Sequence, residues 1–219
     1  MKVINLSKQD TLLNQFLAEL RDKDYQKNAL LFRNNIKRIG QIMAYEISKT
    51  LSYKTQTVST PLADVDVSLP DERIVLATVF RAGLPLHDGF LSYFDKAENA
   101  FVSAYRYYTD KEATKVGIKI EYIATPDLTD KTLIIVDPML ATGGSMELAY
   151  EAFLSKSKPS RTIFASVIAS KSGVEFMKKH FPSDDFLLFC GAIDPELNEK
   201  KYIVPGLGDA GDLEYGGKL

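Results

Sequence analysis

The sequence predicts an α/β fold, in which a mostly parallel β-sheet is flanked by helices. From residue 73 onward, short apolar runs rich in β-branched residues alternate with segments of helical periodicity, the order that builds parallel sheets. The chain has 219 residues, 45% of them hydrophobic, which is enough for one domain with a sizeable core, with two small domains as the alternative. We therefore interpret residues 1–219 as a single domain.

Composition excludes several classes of protein. The formal net charge is -2 and the pI is about 5.8, so no basic surface for nucleic acid is indicated. No apolar run approaches the roughly 20 residues that cross a bilayer, and the N-terminus lacks the apolar core of a secretory signal. The single cysteine, Cys190, fits a reducing cytoplasm, and together with two well-separated histidines it does not supply a zinc site. We expect a cytoplasmic protein without a membrane or nucleic-acid partner.

Residues 1–51 are predicted to form an N-terminal helical part. A short amphipathic helix is expected over residues 10–21 and a longer one over residues 25–51. The buried face of the longer helix is defined by apolar residues at helical spacing: Ala29, Phe32, Ile36, Ile39, Met43 and Ile47. Its other face carries basic residues, which we interpret as solvated, with a site for an anionic effector as the alternative: Lys27, Arg33, Lys37 and Arg38.

From residue 73 the predicted elements follow one another in α/β order. Period-two alternation at 115–123 interrupts that order, so residues 107–128 are predicted to form a projecting antiparallel β-arm. His87 is predicted to be a loop residue and His180 to lie at a helix C-terminus, and the chain from Asp194 onward reads as a Gly-rich loop. The strands are expected at 74–79, 100–105, 133–136, 162–168 and 185–190, and the helices from 84 to 94, at 146–157 and at 173–180.

The most informative stretch runs from Leu133 to Ser145. A β-branched run ends at Asp137, a turn of small residues follows, and a helical pattern starts at Ser145. A phosphate-binding loop needs glycines that admit close backbone approach, hydroxyl groups, and a helix N-terminus, and this stretch has all three. An acid just past a strand end stands where α/β folds bind their ligands. The alternative is an ordinary strand-to-helix turn.

This stretch has neither the G-x-x-x-x-G-K-[ST] nor the G-x-G-x-x-G spacing. It resembles the loop that binds 5-phospho-α-D-ribose 1-diphosphate (PRPP) in uracil phosphoribosyltransferases. Many type I phosphoribosyltransferases carry two adjacent acids here, and Pro138 in the second place resembles the uracil branch. The resemblance implies that Asp137 orients the ribose hydroxyls. It further implies a loop around PRPP, with the 5′-phosphate held from Ala141 onward: Pro138, Met139, Leu140, Ala141, Thr142, Gly143, Gly144 and Ser145.

Two arginines follow neighbouring predicted strands. Arg81 lies in the segment Phe80–Pro85, and Arg106 follows the strand that ends at Tyr105. Arginine offers bidentate geometry to phosphate, and both would stand at the same sheet edge as Asp137. A surface ion pair is the alternative for Arg81. The resemblance implies that both arginines bind PRPP at its diphosphate.

The segment from Tyr202 to Asp212 has the composition of a disordered tail, but its residue order resembles the uracil-binding tail of the same family. A glycine-rich strand exposes backbone N–H and C=O groups, which can read the acceptor–donor–acceptor edge of uracil and reject cytosine. The resemblance makes residues 191–219 a base-binding hood. It implies uracil contacts at Ile203, Gly208, Asp209 and Ala210, with the Asp209 carboxylate turned toward PRPP.

The resemblance implies a uracil phosphoribosyltransferase that makes UMP and diphosphate from uracil and PRPP. Asp137, Arg106 and Asp209 would carry catalysis, and Mg²⁺ would arrive bound to PRPP, with few protein ligands. The alternatives are a phosphoribosyltransferase for orotate or a purine, an mRNA-binding regulator of the same fold, and an inactive paralogue. The neutral tail disfavours orotate, and the acidic pI disfavours RNA.

Two departures from the family pattern concern regulation and assembly. Leu213 stands where an arginine usually follows the second aspartate of the tail, and the residues before about 25 do not match the family's usual opening. The resemblance implies activation by GTP and assembly into a homodimer or higher homo-oligomer. These two departures weaken the transfer of both properties to this chain.

Overall fold

The structure, a computed structural model, describes residues 1–108 and 116–217, and the side chains of residues 104–119 lie outside the description. The strands are β1 (Lys2–Asn5), β2 (Tyr53–Ser59), β3 (Asp64–Pro70), β4 (Ile74–Val79), β5 (Glu98–Tyr108), β6 (Val116–Ala124), β7 (Thr132–Val136), β8 (Met139–Leu140), β9 (Arg161–Ser170), β10 (Phe186–Asp194), β11 (Glu196–Leu197) and β12 (Ile203–Val204). The α-helices are α1 (Leu12–Arg21), α2 (Ala29–Ser48), α3 (Leu84–Leu91), α4 (Gly144–Leu154), α5 (Lys171–His180) and α6 (Ala210–Tyr215).

The central sheet has the strand order β1-β10-β9-β7-β4-β5-β6, and β8 pairs with the far end of β9. The pairs from β1 to β5 are parallel, and β6 joins β5 antiparallel. This confirms the predicted α/β class and the period-two pairing near residue 120. The antiparallel pair is described for residues 98–108 and 116–124; the predicted arm's residues 109–115 lie outside the described chain.

Apolar side chains of the sheet alternate between two cores because successive strand residues point to opposite faces. On β7, Ile134 and Val136 face a core formed with α1, α2 and α3, whereas Leu133 and Ile135 face one formed with α4 and α5. The predicted apolar face of α2 is buried from Phe32 to Ile47. Within residues 1–108 and 116–217, no helix is long and apolar enough to cross a membrane.

Two predictions made from the sequence are wrong. His87 lies in α3 rather than in a loop, inside the helix that the sequence predicts from residue 84, because Pro85 occupies the first turn and starts the helix soon after Gly83. The tail after Asp194 is not only a loop: β11 pairs antiparallel with β12, and α6 follows. His180, by contrast, is the last residue of α5, as predicted.

A hairpin of β2 and β3 was not predicted, and both of its strands are exposed along almost their whole length. One face of this β2–β3 hairpin is polar, and the other carries Val58, Val65 and Val67, which are 36–46% exposed. At its turn, Leu62 is 96% exposed. The apolar face of the β2–β3 hairpin has no cover within the described residues.

The basic face of α2 is engaged with the protein as well as with solvent. Lys37 forms a 2.6 Å ion pair with Asp88 of α3, and Arg33 donates a hydrogen bond to the backbone carbonyl of Glu214 in α6. The predicted solvated face thus contacts both a neighbouring helix and the tail.

Candidate active site

A cavity of about 320 Å³ opens at the carboxyl ends of β4 and β7. Its volume falls in the usual range for small-molecule sites, and its position is the one at which open α/β sheets bind ligands. Three separate parts of the chain form its wall: Val79, Phe80, Arg81 and Ala82; Asp137, Met139, Leu140, Ala141, Thr142, Gly143, Ser145 and Met146; and Asp209, Ala210 and Gly211.

Backbone pairing holds the predicted phosphate loop in place. After β7 ends, the Asp137 amide donates to the Ala165 carbonyl (3.1 Å), and the Pro138 carbonyl accepts from the Ile168 amide (3.0 Å). β8 then runs parallel to the far end of β9, and the Ser170 hydroxyl donates to the Ala141 carbonyl (2.6 Å). The loop is therefore an extension of the sheet rather than a free turn. Pro138 itself is buried and outside the cavity wall.

Gly143 shapes the entry into α4. Its φ is +87°, a left-handed conformation that favours glycine. A Cβ atom there would also lie 2.4 Å from the Phe176 ring. No side chain caps the N-terminus of α4, so its first amides stay available to an anion, which a helix N-terminus attracts. Thr142 and Ser145 are exposed beside it on the cavity wall, whereas Gly144 is the first helical residue behind the wall.

Asp137 is the acid at the centre of the cavity wall. Its carboxylate accepts a 3.3 Å hydrogen bond from the Met139 amide. Loss of solvation raises the pKa of Asp137 to about 6, and the bond from Met139 opposes this only in part. A weakly solvated carboxylate with free lone pairs is suited to accept hydrogen bonds from hydroxyl groups of a ligand.

Arg81 lies in the wall opposite this loop, in the turn between β4 and α3. Its Nη2 donates to the Gly216 carbonyl (3.1 Å) and lies 3.7 Å from an oxygen of Asp212, so Arg81 ties the tail to the sheet edge. Its Nε is buried without a hydrogen-bond partner in the described protein. The backbone of Arg106 is in β5, two strands from β7, but its side chain lies outside the described residues.

The predicted base-binding residues divide into two sets. Asp209 and Ala210 line the cavity, and Asp209 also caps α6 by accepting from the Asp212 amide (3.0 Å). Ile203 packs into the core next to α1–α3, and Gly208, at φ +87°, is exposed outside the cavity wall. Within the tail, the prediction omitted Gly211, which joins Asp209 and Ala210 in the wall.

An aromatic contact links the cavity to the predicted arm. Phe80, in the cavity wall, stacks on Phe101 of β5 at 5.5 Å and on Tyr122 of β6 at 6.0 Å between ring centroids. Sequence reasoning did not single out these residues, because an aromatic residue at a strand end usually indicates core. A movement of the β5–β6 pair would therefore reach the cavity.

The described residues do not bring three metal-ligating side chains of the His, Cys, Asp or Glu type together. Asp137 and Asp209 are the carboxylates in the cavity wall. Such a sparse set of hard oxygen donors fits a Mg²⁺ ion that keeps water and phosphate ligands of its own, but not a fully protein-built metal centre.

Comparison with known proteins gives one consistent family. The family model described as uracil phosphoribosyltransferase matches residues 7–217. A protein named uracil phosphoribosyltransferase from Porphyromonas gingivalis is 55% identical over 219 residues, which cover 100% of both chains. One of the same name from Pyrococcus furiosus is 38% identical and covers 92% of this chain and 85% of its own.

A solved structure agrees with this at the level of the fold. A protein from Aquifex aeolicus superposes with a TM-score of 0.84 at 28% identity and covers 99% of both chains. The match to this family thus covers nearly the whole chain. It includes the motif at Asp137, the arginine at the neighbouring strand end and the tail over the cavity. On this evidence, the chain belongs to the uracil phosphoribosyltransferase family.

Proposed function

We propose that this chain transfers the phosphoribosyl group of PRPP to uracil and releases diphosphate, forming UMP. The observation that supports this most directly is the composition of the cavity wall. It joins an uncapped helix N-terminus, a strand-end carboxylate, an arginine and a glycine-rich tail within about 320 Å³. Each of the four matches a different part of the two substrates.

The loop and the two arginines would hold PRPP. We assign the 5′-phosphate to the amides and hydroxyls between Ala141 and Ser145, at the N-terminus of α4. Asp137 would accept hydrogen bonds from the ribose hydroxyls. Arg81, with Arg106 as its predicted companion, would balance the charge that grows on the leaving diphosphate.

In the reaction, the bond between the anomeric carbon and diphosphate breaks, and a bond from that carbon to N1 of uracil forms as the N1 proton passes to solvent. Because no covalent enzyme intermediate is required, the protein would act mainly by positioning the substrates and by stabilising charge. The tail would select the base. Main-chain groups near Asp209 and Ala210 would pair with the acceptor–donor–acceptor edge of uracil and would not pair with that of cytosine.

Mg²⁺ bound to PRPP would add positive charge next to the diphosphate. We assign the Asp209 side chain, in the cavity wall, to contact with the Mg²⁺–PRPP complex and its water ligands. The few carboxylates near the cavity support an ion that comes with the substrate.

UMP formation from uracil and PRPP tests the proposal, with cytosine, orotate and hypoxanthine assayed in parallel. We expect turnover with uracil alone. Turnover with orotate or hypoxanthine instead would overturn the base assignment, and no PRPP-dependent product with any base would overturn the activity. The same assay with and without GTP tests the effector response that the family resemblance implies.

We also propose that the protein is a homo-oligomer. The support is the uncovered apolar face of the β2–β3 hairpin, formed by Val58, Val65 and Val67. Replacing Val65 and Val67 by Thr should lower the mass measured by light scattering. Thr55→Val on the polar face is the control and should leave the mass unchanged. A wild-type protein that runs as a monomer at all concentrations would contradict the proposal.

A reducing, cytoplasmic setting is proposed from the lone cysteine. With this one cysteine the chain can form no internal disulfide, as is usual for proteins of a reducing compartment.

A further inference from the structure

Glu214 is a buried acid that the mechanism above does not use. Its side chain is 1% exposed, and neither carboxyl oxygen has a hydrogen-bond partner in the described protein. It lies one turn after Ala210, a residue of the cavity wall, and both are on the buried side of α6. A buried polar group without a partner is costly, so its presence needs a reason.

The charged groups around Glu214 are mainly those of the cavity. Asp137, Asp209 and Arg81 all act on it electrostatically, and all three line the cavity wall. The fourth is Arg33 of α2, which also donates a hydrogen bond to the Glu214 carbonyl and lies 6.0 Å from the ring of Tyr215.

The surroundings favour the uncharged form of this acid. Burial is the largest cause and raises the pKa of Glu214 to about 9, and the Asp137 and Asp209 charges add to it while Arg33 and Arg81 oppose it. At neutral pH the uncharged carboxylic acid is therefore the favoured form.

We propose that Glu214 is a positioning residue of the PRPP site, which works as an uncharged carboxylic acid and so adds no negative charge behind the wall that receives the phosphates of the substrate. A carboxylate at this place would repel the polyanion. The acid fills the space between α6, α2 and the cavity without adding negative charge. This inference rests on the proposed function.

The proposal predicts a link between protonation and PRPP binding. Because PRPP would bind the protonated form better, affinity is constant well below the pKa of Glu214 and falls as the pH rises through it. With a pKa near 9, the dissociation constant of PRPP at about pH 9.5 should be roughly fourfold that at about pH 7.5. Binding measured by calorimetry without uracil avoids the ionisation of the base itself.

Glu214→Gln tests this, because the amide keeps the size and neutrality of the acid but cannot ionise. We expect Glu214→Gln to bind PRPP as the wild type does at neutral pH and to lose the alkaline weakening. Glu199→Gln, an exposed acid of the same tail, is the matched control and should keep the wild-type profile. Glu214→Met, also uncharged, serves if the amide variant does not fold.

Three results would overturn the inference. One is a wild-type affinity that does not change with pH. Another is a Glu214→Gln protein that still weakens above pH 9 like the wild type, which would assign the effect to another group. The third is a loss of affinity in Glu214→Gln at neutral pH, which would mean that the carboxylate is the working form. Failure to bind PRPP at any pH would instead count against the proposed function.

Discussion

Burial disfavours the charged form of Asp137, yet the proposed role needs that charge. The role can therefore be tested by removing the charge. Asp137→Asn removes the charge that would hold the ribose hydroxyls but leaves the 3.3 Å bond from Met139 to an oxygen possible. We expect turnover to fall by about 10²–10³-fold, with a thermal unfolding midpoint close to that of the wild type. Near-normal kcat and PRPP KM would contradict our placing of the ribose.

The pH dependence of the wild type supplies a second measure of Asp137. Its pKa is raised to about 6, and the proposed active form is the carboxylate. Since kcat/KM reports the free enzyme, kcat/KM for PRPP should fall as the pH decreases through about 6. Asp137→Asn should lack this limb of the profile.

Arg81 and Arg73 stand at opposite ends of β4 and form a matched pair. Arg73 is exposed and donates only a long bond (3.5 Å) to the Asp130 carbonyl, far from the cavity wall. We expect Arg81→Ala to lower kcat/KM for PRPP by about 10²-fold or more and Arg73→Ala to leave it nearly unchanged. Arg106→Ala should resemble Arg81→Ala. A defect confined to uracil KM would refute the diphosphate assignment.

The sequence alone predicts the role of some site residues but not of others. Asp137 was predictable because a strand, an acid and a small-residue loop are contiguous in sequence. Glu214 was not, because a glutamate between Leu213 and Tyr215 reads as a surface residue, and only the packing of α6 on α2 buries it. Its neighbours in space are distant in sequence.

At the level of elements, the β5–β6 pair connects to the cavity through Phe80 and Tyr122. If the predicted arm folds over bound substrates, PRPP should slow amide hydrogen exchange in residues 116–124. The hairpin residues 53–59 serve as the internal reference, since they do not line the cavity. Equal exchange with and without PRPP would leave the arm a structural role only.

The tail should respond unequally to substitution. Gly208→Val should raise uracil KM most, because its φ of +87° disfavours any side chain. Ala210→Val should come next, since Ala210 is 1% exposed and lines the cavity. Ile203→Ala should raise uracil KM modestly and lower stability by about 2–5 kcal/mol, as truncations in a core do.

None of these three variants should use cytosine well, because the order of main-chain donors and acceptors stays the same. The measurement is kcat/KM for both bases across the series. Wild-type uracil kinetics in Gly208→Val would remove residues 203–210 from the base site.

The elements that escaped prediction did so for different reasons. β3 alternates polar and apolar residues from Asp64 to Leu69, a period-two pattern that indicates a strand and was overlooked, whereas β2 carries a single valine among mostly polar residues. β1 has only four residues and depends on β10, far along the chain, for its pairing. The interior strands β4, β7 and β9, by contrast, carry apolar runs because both faces are covered, and these were predicted.

For the molecule as a whole, one ion pair joins the N-terminal helices to the tail. Arg21 of α1 donates two bonds of 2.8 Å to Asp194 and one of 3.0 Å to the Gly206 carbonyl. Asp194 is 5% exposed. Burial alone would raise the pKa of Asp194, but the bonds from Arg21 and from the Gly206 amide outweigh it and hold the pKa below its usual value.

Removing Arg21 should therefore destabilise the whole fold. Arg21→Leu leaves a buried carboxylate without its partner, which typically costs about 3–5 kcal/mol. Because the pKa of Asp194 is lowered in the folded state, the stabilisation is present above its unfolded pKa and is lost as the pH falls below about 4. Chemical denaturation at neutral and acid pH measures both effects, and the difference between wild type and variant should shrink in acid.

Lys27→Ala is the control for this prediction. Its ion pair with Asp24 is exposed on both sides, with side-chain exposures of 74% and 71%, and should matter little. An equal loss of stability in Arg21→Leu and Lys27→Ala would show that α1 and the tail are not coupled through Asp194.

The cavity wall is formed by residues 79–82, 137–146 and 209–211. These three segments are synthesised at different times. The strands and the loop can assemble while the chain is still being made, since domains fold in the order in which they emerge. The third wall is missing until residues 209–211 have left the exit tunnel. Until then the chain would carry a folded sheet whose cavity is open and lacks its base-binding side, so catalysis would begin only after the core has folded.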